Sequence, residues 1–158
     1  MMVVPYFLRY FGIVLLFIGL AACATPNSIT GAGSAKPGST QDFSVNVGDT
    51  VLFTVNSVTL TSSARGTLKR QAAWLKRYPG VTIEVQGHAD ERGTREYNLG
   101  LSAQRAEATR SFLASQGVAA NRMRTISFGK ERPAATCDAE TCWTQNRRSV
   151  TVVNNTVS

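Results

Sequence analysis

A chain of 158 residues has room for one ordinary domain once a leader and a linker are set aside, which argues against a two-domain enzyme. Its formal charge of +7 points to a polyanionic partner: nucleic acid, an anionic membrane surface or an acidic polymer. Charge alone does not choose among them.

Met1 to Tyr10 carries a single cation, Arg9, and Phe11 to Ala22 follows as an unbroken stretch of apolar or small residues. This is the layout of a secretory signal over residues 1–22. The run is shorter than the roughly 20 residues of a membrane-spanning helix, so cleavage is expected, with an uncleaved anchor as the alternative. Leu20-Ala21-Ala22-Cys23 ends the run and resembles the lipobox of bacterial lipoproteins. That resemblance implies acylation of Cys23 and loss of the leader ahead of it. Several buried acyl chains anchor firmly, at about 0.8 kcal/mol per CH₂. Ala24 follows Cys23, with no aspartate to retain the protein in the inner membrane, so the expected location is the outer membrane, the domain facing the periplasm.

Residues 23–42 form the lipidated N-terminus and a tether, rich in Gly, Ser, Thr, Ala and Pro and too poor in large apolar side chains to offset ordering entropy. The folded domain spans residues 43–158. Phe43, Val45 and Val47 alternate with polar residues, and Val51 to Val55 is a strand candidate. From Thr61, an N-cap candidate, Ala64, Leu68, Ala72 and Leu75 recur at helical spacing until Tyr78-Pro79-Gly80. Val81, Ile83 and Val85 mark a half-buried strand. Leu99, Ala103, Ala106 and Leu113 mark one face of a second helix ending at Gln116-Gly117. A strand around Arg124 to Phe128, a polar loop and a last strand around Val150 to Val153 complete the order. The fold class is therefore α+β: a β-α-β-α-β-β domain with a mixed sheet and helices packed on one face.

Gly87-His88-Ala89-Asp90-Glu91-Arg92-Gly93-Thr94 lies where a strand gives way to a helix, a common ligand position in an open sheet. Read locally, Asp90 is a turn residue and Arg105 a solvated helix charge. His88 is the only histidine, too few for a zinc site of three or four ligands, and no cofactor or metal is expected. Asp90 and Glu91 are adjacent, whereas glycosidase carboxyls face each other across about 5 to 9 Å. Nor is there a Gly-x-Ser-x-Gly elbow. The chain is therefore not expected to be an enzyme. Cys137 and Cys142 flank four residues in the last loop; a disulfide in an oxidising compartment and two free thiols are both open.

Gly87 to Thr94, Glu96-Tyr97-Asn98, Leu101-Ser102-Ala103-Gln104-Arg105-Ala106, Gly129-Lys130-Glu131-Arg132-Pro133 and Asn146-Arg147-Arg148-Ser149-Val150 together resemble the OmpA-like domain family and its peptidoglycan-associated lipoproteins, over about Val51 to Val153. The resemblance implies non-covalent binding to the diaminopimelate of the peptidoglycan stem peptide. By position, Asp90 takes the ligand ammonium and Arg105 its carboxylate, with Asn98, Leu101 and Thr94 around them. The first strand adds Phe53 and Thr54, although the family places an aspartate where this chain has Thr54. Arg147 reads as an exposed charge. The resemblance further implies a place in the Tol–Pal system, which maintains envelope integrity and acts in constriction at division, with TolB and other Tol proteins as partners. The alternative is another OmpA-like wall anchor outside that system. Export leaves no nucleic-acid role.

Overall fold

The structure, a computed structural model, describes residues 35–154. The expected leader and the acylation site Cys23 lie outside the described residues.

Thr40–Asp42 form one helical turn, α1, capped by Ser39, whose Oγ accepts from the Asp42 amide at 3.1 Å. It runs straight into a π-helical turn over Phe43–Val47, closed by the Gly48 amide donating to the Phe43 carbonyl at 3.0 Å. Both features differ from the sequence reading. The residues just ahead of Phe43 bury almost nothing apolar, yet Asp42 fastens them: its Oδ2 accepts from Trp74 Nε1 at 2.8 Å and from the Gly38 amide at 2.9 Å. The alternation of Phe43, Val45 and Val47 does not make a strand. Phe43 is buried against the Trp74 ring, centroids 4.9 Å apart, while Val45 is 70% exposed.

Strand β1 covers only Thr50–Leu52, shorter than the apolar run suggested. Helix α2, Ser62–Arg77, starts where Thr61 Oγ1 accepts from the Ala64 amide at 3.1 Å and buries Ala64, Leu68, Ala72 and Leu75. It stops at Tyr78, whose φ and ψ are non-helical, because the residue before a proline is steered out of the helical region. Strand β2 is Thr82–Gly87, helix α3 Arg95–Ser115 and strand β3 Met123–Ser127. A short helix, α4, Glu140–Asn146, stands within the stretch read as a polar loop, and strand β4 is Arg148–Asn154.

The sheet order is β1-β4-β2-β3, with β2 and β3 parallel and the other pairs antiparallel. A parallel pair needs a crossover, and α3 supplies it. Ile83 on β2 pairs with Met123 and Val153 on its two neighbours. These three join Leu68, Leu75, Val85 and Leu113 in the core beneath the helices. The alternate residues, such as Glu84 with its 2.7 Å bridge to Arg124 Nη2, occupy the open face. The fold is α+β with a mixed four-stranded sheet, as the sequence pattern indicates.

The inward face of α3 is not the apolar one. Asn98, Ser102, Arg105, Ala106, Thr109 and Leu113 are buried, while Ala103 is exposed. The cause is a close approach: a Cβ on Gly87 would lie 1.8 Å from the Ser102 carbonyl oxygen, so helix and strand meet backbone to backbone. Ser102 Oγ works in that gap, donating to the Asn98 carbonyl at 2.7 Å and accepting from the Gly129 amide at 2.9 Å. Buried polar groups must find partners, and this contact fixes α3 against the end of β2 and the turn after β3.

Candidate functional site

A cleft of about 260 Å³ opens between the end of β2, the start of α3 and the segment after β1. Asp90, Asn98, Leu101 and Arg105 line it together, joined by Val55, Asn56, Arg92 and Tyr97.

Asp90 is only 7% exposed, not the surface turn residue of the local reading. Its Oδ2 accepts from Arg92 Nη2 at 2.6 Å and from Arg147 Nη1 at 3.1 Å, and its Oδ1 from the Arg92 amide and Nε, both at 3.3 Å. Burial pushes the carboxyl up, but the hydrogen bonds from Arg92 and Arg147 and the charge of Arg92 outweigh it. The net result is a carboxyl below the usual range and ionised at neutral pH.

Arg105 has no exposed surface at all, which corrects its reading as a solvated charge. Nε donates to the Ser57 carbonyl at 3.0 Å, Nη1 to the His88 carbonyl at 3.0 Å and Nη2 to the Thr54 carbonyl at 3.3 Å. The guanidinium also lies over the Phe53 ring, 5.4 Å from its centroid. Burial and the nearby Arg147 pull its pKa down, against the pull of Asp90, to about 10. It stays cationic. Three of its five N–H donors are taken by carbonyls, which leaves two unengaged.

The other candidates divide. Asn98 is buried and its Nδ2 donates to the Arg92 carbonyl at 2.7 Å, holding the loop against the helix. Thr94 is the N-cap of α3, its Oγ1 accepting from the Tyr97 amide at 3.2 Å, and does not line the cleft. Phe53 and Thr54 line a neighbouring cavity of about 530 Å³ with Thr144, Glu140 and Arg147. They reach Arg105 through the Phe53 ring and the Thr54 carbonyl.

Arg147 is the residue that sequence reasoning undervalued. It is 4% exposed and joins Asp90, the Phe53 carbonyl, Thr144 and Glu140. Tyr97, quoted only within a family motif, and Asn56 were not read as site residues. Tyr97 is half exposed and its hydroxyl bonds Asn56 Oδ1 across the cleft mouth. Asn56 has a positive φ of 55°, a conformation that asparagine tolerates better than most residues; the pair of turn residue and exposed helix-start tyrosine was the available signal.

Arg92 closes one side of the cleft. Its guanidinium carbon stands 4.1 Å from the centroid of the Trp143 ring, and Trp143 in turn donates to Glu91. Cys137 and Cys142 form a disulfide that ties the loop to the first turn of α4, the helix bearing Trp143. His88 is buried, stacked on Phe128 at 5.4 Å, and burial, with the charge of Arg148, lowers its pKa to about 4. It is a neutral structural ring. Among the described residues no three His, Cys, Asp or Glu side chains gather where a metal ion could sit.

The arrangement is one buried anion and one buried cation on the wall of a single open cleft, with a tyrosine at its mouth. Residues 52–147 match the OmpA family. The chain is 60% identical over 147 residues to the peptidoglycan-associated lipoprotein of Agrobacterium fabrum, covering 87% of this chain and 83% of that one. It is 56% identical over 151 residues to the protein of the same name from Brucella melitensis, covering 89% and 90%. The crystal structure of the peptidoglycan-associated lipoprotein from Burkholderia pseudomallei has a TM-score of 0.69 at 36% identity, over 73% of this chain and 100% of that one. The C-terminal domain of Helicobacter pylori MotB shares the fold, with a TM-score of 0.65 at 23% identity, over 69% and 86%.

Proposed function

This chain belongs to the OmpA family and groups with its peptidoglycan-associated lipoproteins, and we propose that it anchors the outer membrane to the cell wall by gripping the diaminopimelate of the stem peptide. The observation that carries this reading is the placing of Asp90 and Arg105 on one cleft. The free end of diaminopimelate is a zwitterion, and it calls for an anion and a cation held apart. Asp90 meets its ammonium and the two unengaged N–H donors of Arg105 meet its carboxylate, a charge-assisted and directional contact. Asn98 and Leu101 line the same wall, with the mouth narrowed by Tyr97. Binding, not bond cleavage, is the work of the site.

Acylation at Cys23 holds the other end in the outer membrane, with the leader over residues 1–22 removed and the domain facing the periplasm. The same reading puts the protein in the Tol–Pal system, where TolB and other Tol proteins share it with the wall and it serves envelope integrity and constriction at division. The identity to peptidoglycan-associated lipoproteins across nearly the whole chain supports this.

Residues 35–154 contain every strand of the sheet and the whole core, so the chain from Ala35 onward is tested as a soluble domain. It is expected to co-sediment with purified sacculi and to be released by free diaminopimelate but not by cadaverine, which offers the ammonium groups without a carboxylate. Retention that cadaverine and diaminopimelate relieve equally, or no retention, would sink the proposal.

A further inference from the structure

Helix α2 carries Arg65, Lys69, Arg70, Lys76 and Arg77 and no acidic residue. All five cations are exposed. At about 100° per residue they fall on one arc of the helix, and the residues between them on that arc are small: Ser62, Gly66 and Ala73. The stripe is roughly 18 Å long at 1.5 Å per residue.

The charges are not neutralised within the fold. None of the six ion pairs among the described residues involves α2. Arg65 and Arg70 turn to the carbonyls of Leu60 and Val47, and Arg77 lies near the Tyr78 ring. Asp42 stands within the field of Arg77, but its carboxylate is engaged by Trp74, Asn46 and Gly38. Lys76 and Arg77 suit the negative end of the helix dipole. Arg65 does not, since it lies near the positive end, and Arg65 and Lys69 repel each other at i,i+4 spacing. Arg65, Lys69 and Arg70 have no acidic partner in the six ion pairs, so an external anion is the better account of their charge.

The route of the chain says which anion. Gly38 packs against the ring of Tyr78, just past the end of α2, and Asp42 bonds Trp74 on α2 itself. The tether therefore joins the domain beside this helix. The roughly dozen residues from Cys23 to Ala35 reach at most about 40 Å when extended. We infer that the basic stripe of α2 docks on the anionic lipid headgroups of the membrane in which the protein is anchored, leaving the Asp90 cleft for the wall. This rests on the lipid anchor of the preceding section for its orientation, and on the charge of α2 for its chemistry.

The test uses the soluble chain from Ala35 with vesicles of phosphatidylcholine, with and without phosphatidylglycerol. Three proteins are compared: the unaltered chain, a variant with Arg65→Gln, Lys69→Gln and Arg70→Gln, and a control with Arg95→Gln, Arg110→Gln and Arg124→Gln. The control removes the same charge from cations that are each paired with a glutamate. Each exposed cation near an anionic surface is worth about fivefold in partition. The unaltered chain and the control are expected on the anionic vesicles only, and the α2 variant is expected to lose about a hundredfold while still binding sacculi. Equal binding to both vesicle types, equal loss in variant and control, or loss of sacculus binding by the α2 variant would each overturn the inference. An unaltered chain that binds anionic vesicles but not sacculi would leave the lipid surface standing and remove the wall reading.

Discussion

Arg147, the residue just before the last strand, donates from Nη1 to Asp90 Oδ2 at 3.1 Å, and both side chains are less than a tenth exposed. The pair joins the loop after β2 to the start of β4, 57 residues apart. Removing one member of a buried ion pair leaves the other uncompensated and costs about 3 kcal/mol or more. Arg147→Ala is therefore expected to lower the urea midpoint markedly and to weaken wall binding by loosening Asp90. A variant with unchanged stability would show that Arg92 alone suffices to hold the carboxylate.

Asp90→Asn preserves the shape of the site and removes the charge offered to an ammonium. Loss of one partner of such a contact is commonly worth about 2 to 5 kcal/mol, so retention on sacculi should fall at least tenfold. Arg105→Ala is a poorer probe, because it strips donors from three carbonyls and opens a cavity beneath Phe53. It should destabilise the domain, by about 3 kcal/mol. Asp90→Asn also leaves Arg147 without its buried counter-charge, so wall retention is compared at a temperature where thermal melting shows each variant folded; a folded Asp90→Asn with full wall binding would displace Asp90 from the site.

The carboxylate of Asp90 accepts four hydrogen bonds, about the number its lone pairs can take. An incoming ammonium must displace a donor, and Arg92, with a side chain 40% exposed, is the one free to leave. Arg92→Ala is expected to bind diaminopimelate roughly two- to fivefold more tightly, measured by calorimetry. Weaker binding would make Arg92 a ligand contact instead of a competitor.

His88 sets a pH dependence. Its folded pKa of about 4 lies below the ordinary 6.5, so the unfolded chain binds more protons between those values. Its contribution is fully present above pH 6.5 and is lost as pH falls towards 4, by up to about 3 kcal/mol. The depressed carboxyl of Asp90 acts lower, its contribution being present above 3.8 and lost as pH falls through its folded value. Denaturation at pH 7 and pH 5 should show the His88 slope, and His88→Gln should flatten it.

The elements with local punctuation were legible in the sequence. Thr61 caps α2 by the hydrogen bond expected of it, and Pro79 marks where α2 stops. What escaped was set by tertiary contacts. Because Gly87 brings the helix onto the strand backbone, the buried face of α3 is built from Asn98, Ser102, Arg105 and Thr109, a pattern no hydrophobic period can reveal. The same holds for Arg147, whose partners lie far along the chain, and for α4, only seven residues long with little apolar content. Asp90 and Arg105 were read as a pair from family resemblance; their local chemistry alone suggested a turn and a solvated charge, and only packing explains why both are buried.

The position of β4 between β1 and β2 bears on how such a chain is made and moved. Strand β1 pairs with β4 alone, so the first strand to emerge has no neighbour until the last one has followed it. Pairing across so long a separation pays its loop-closure entropy late. If the chain passes a secretion channel from its amino terminus, as the proposed function requires, β2 and β3 can pair early but β1 enters the sheet only once the carboxyl-terminal strand is through.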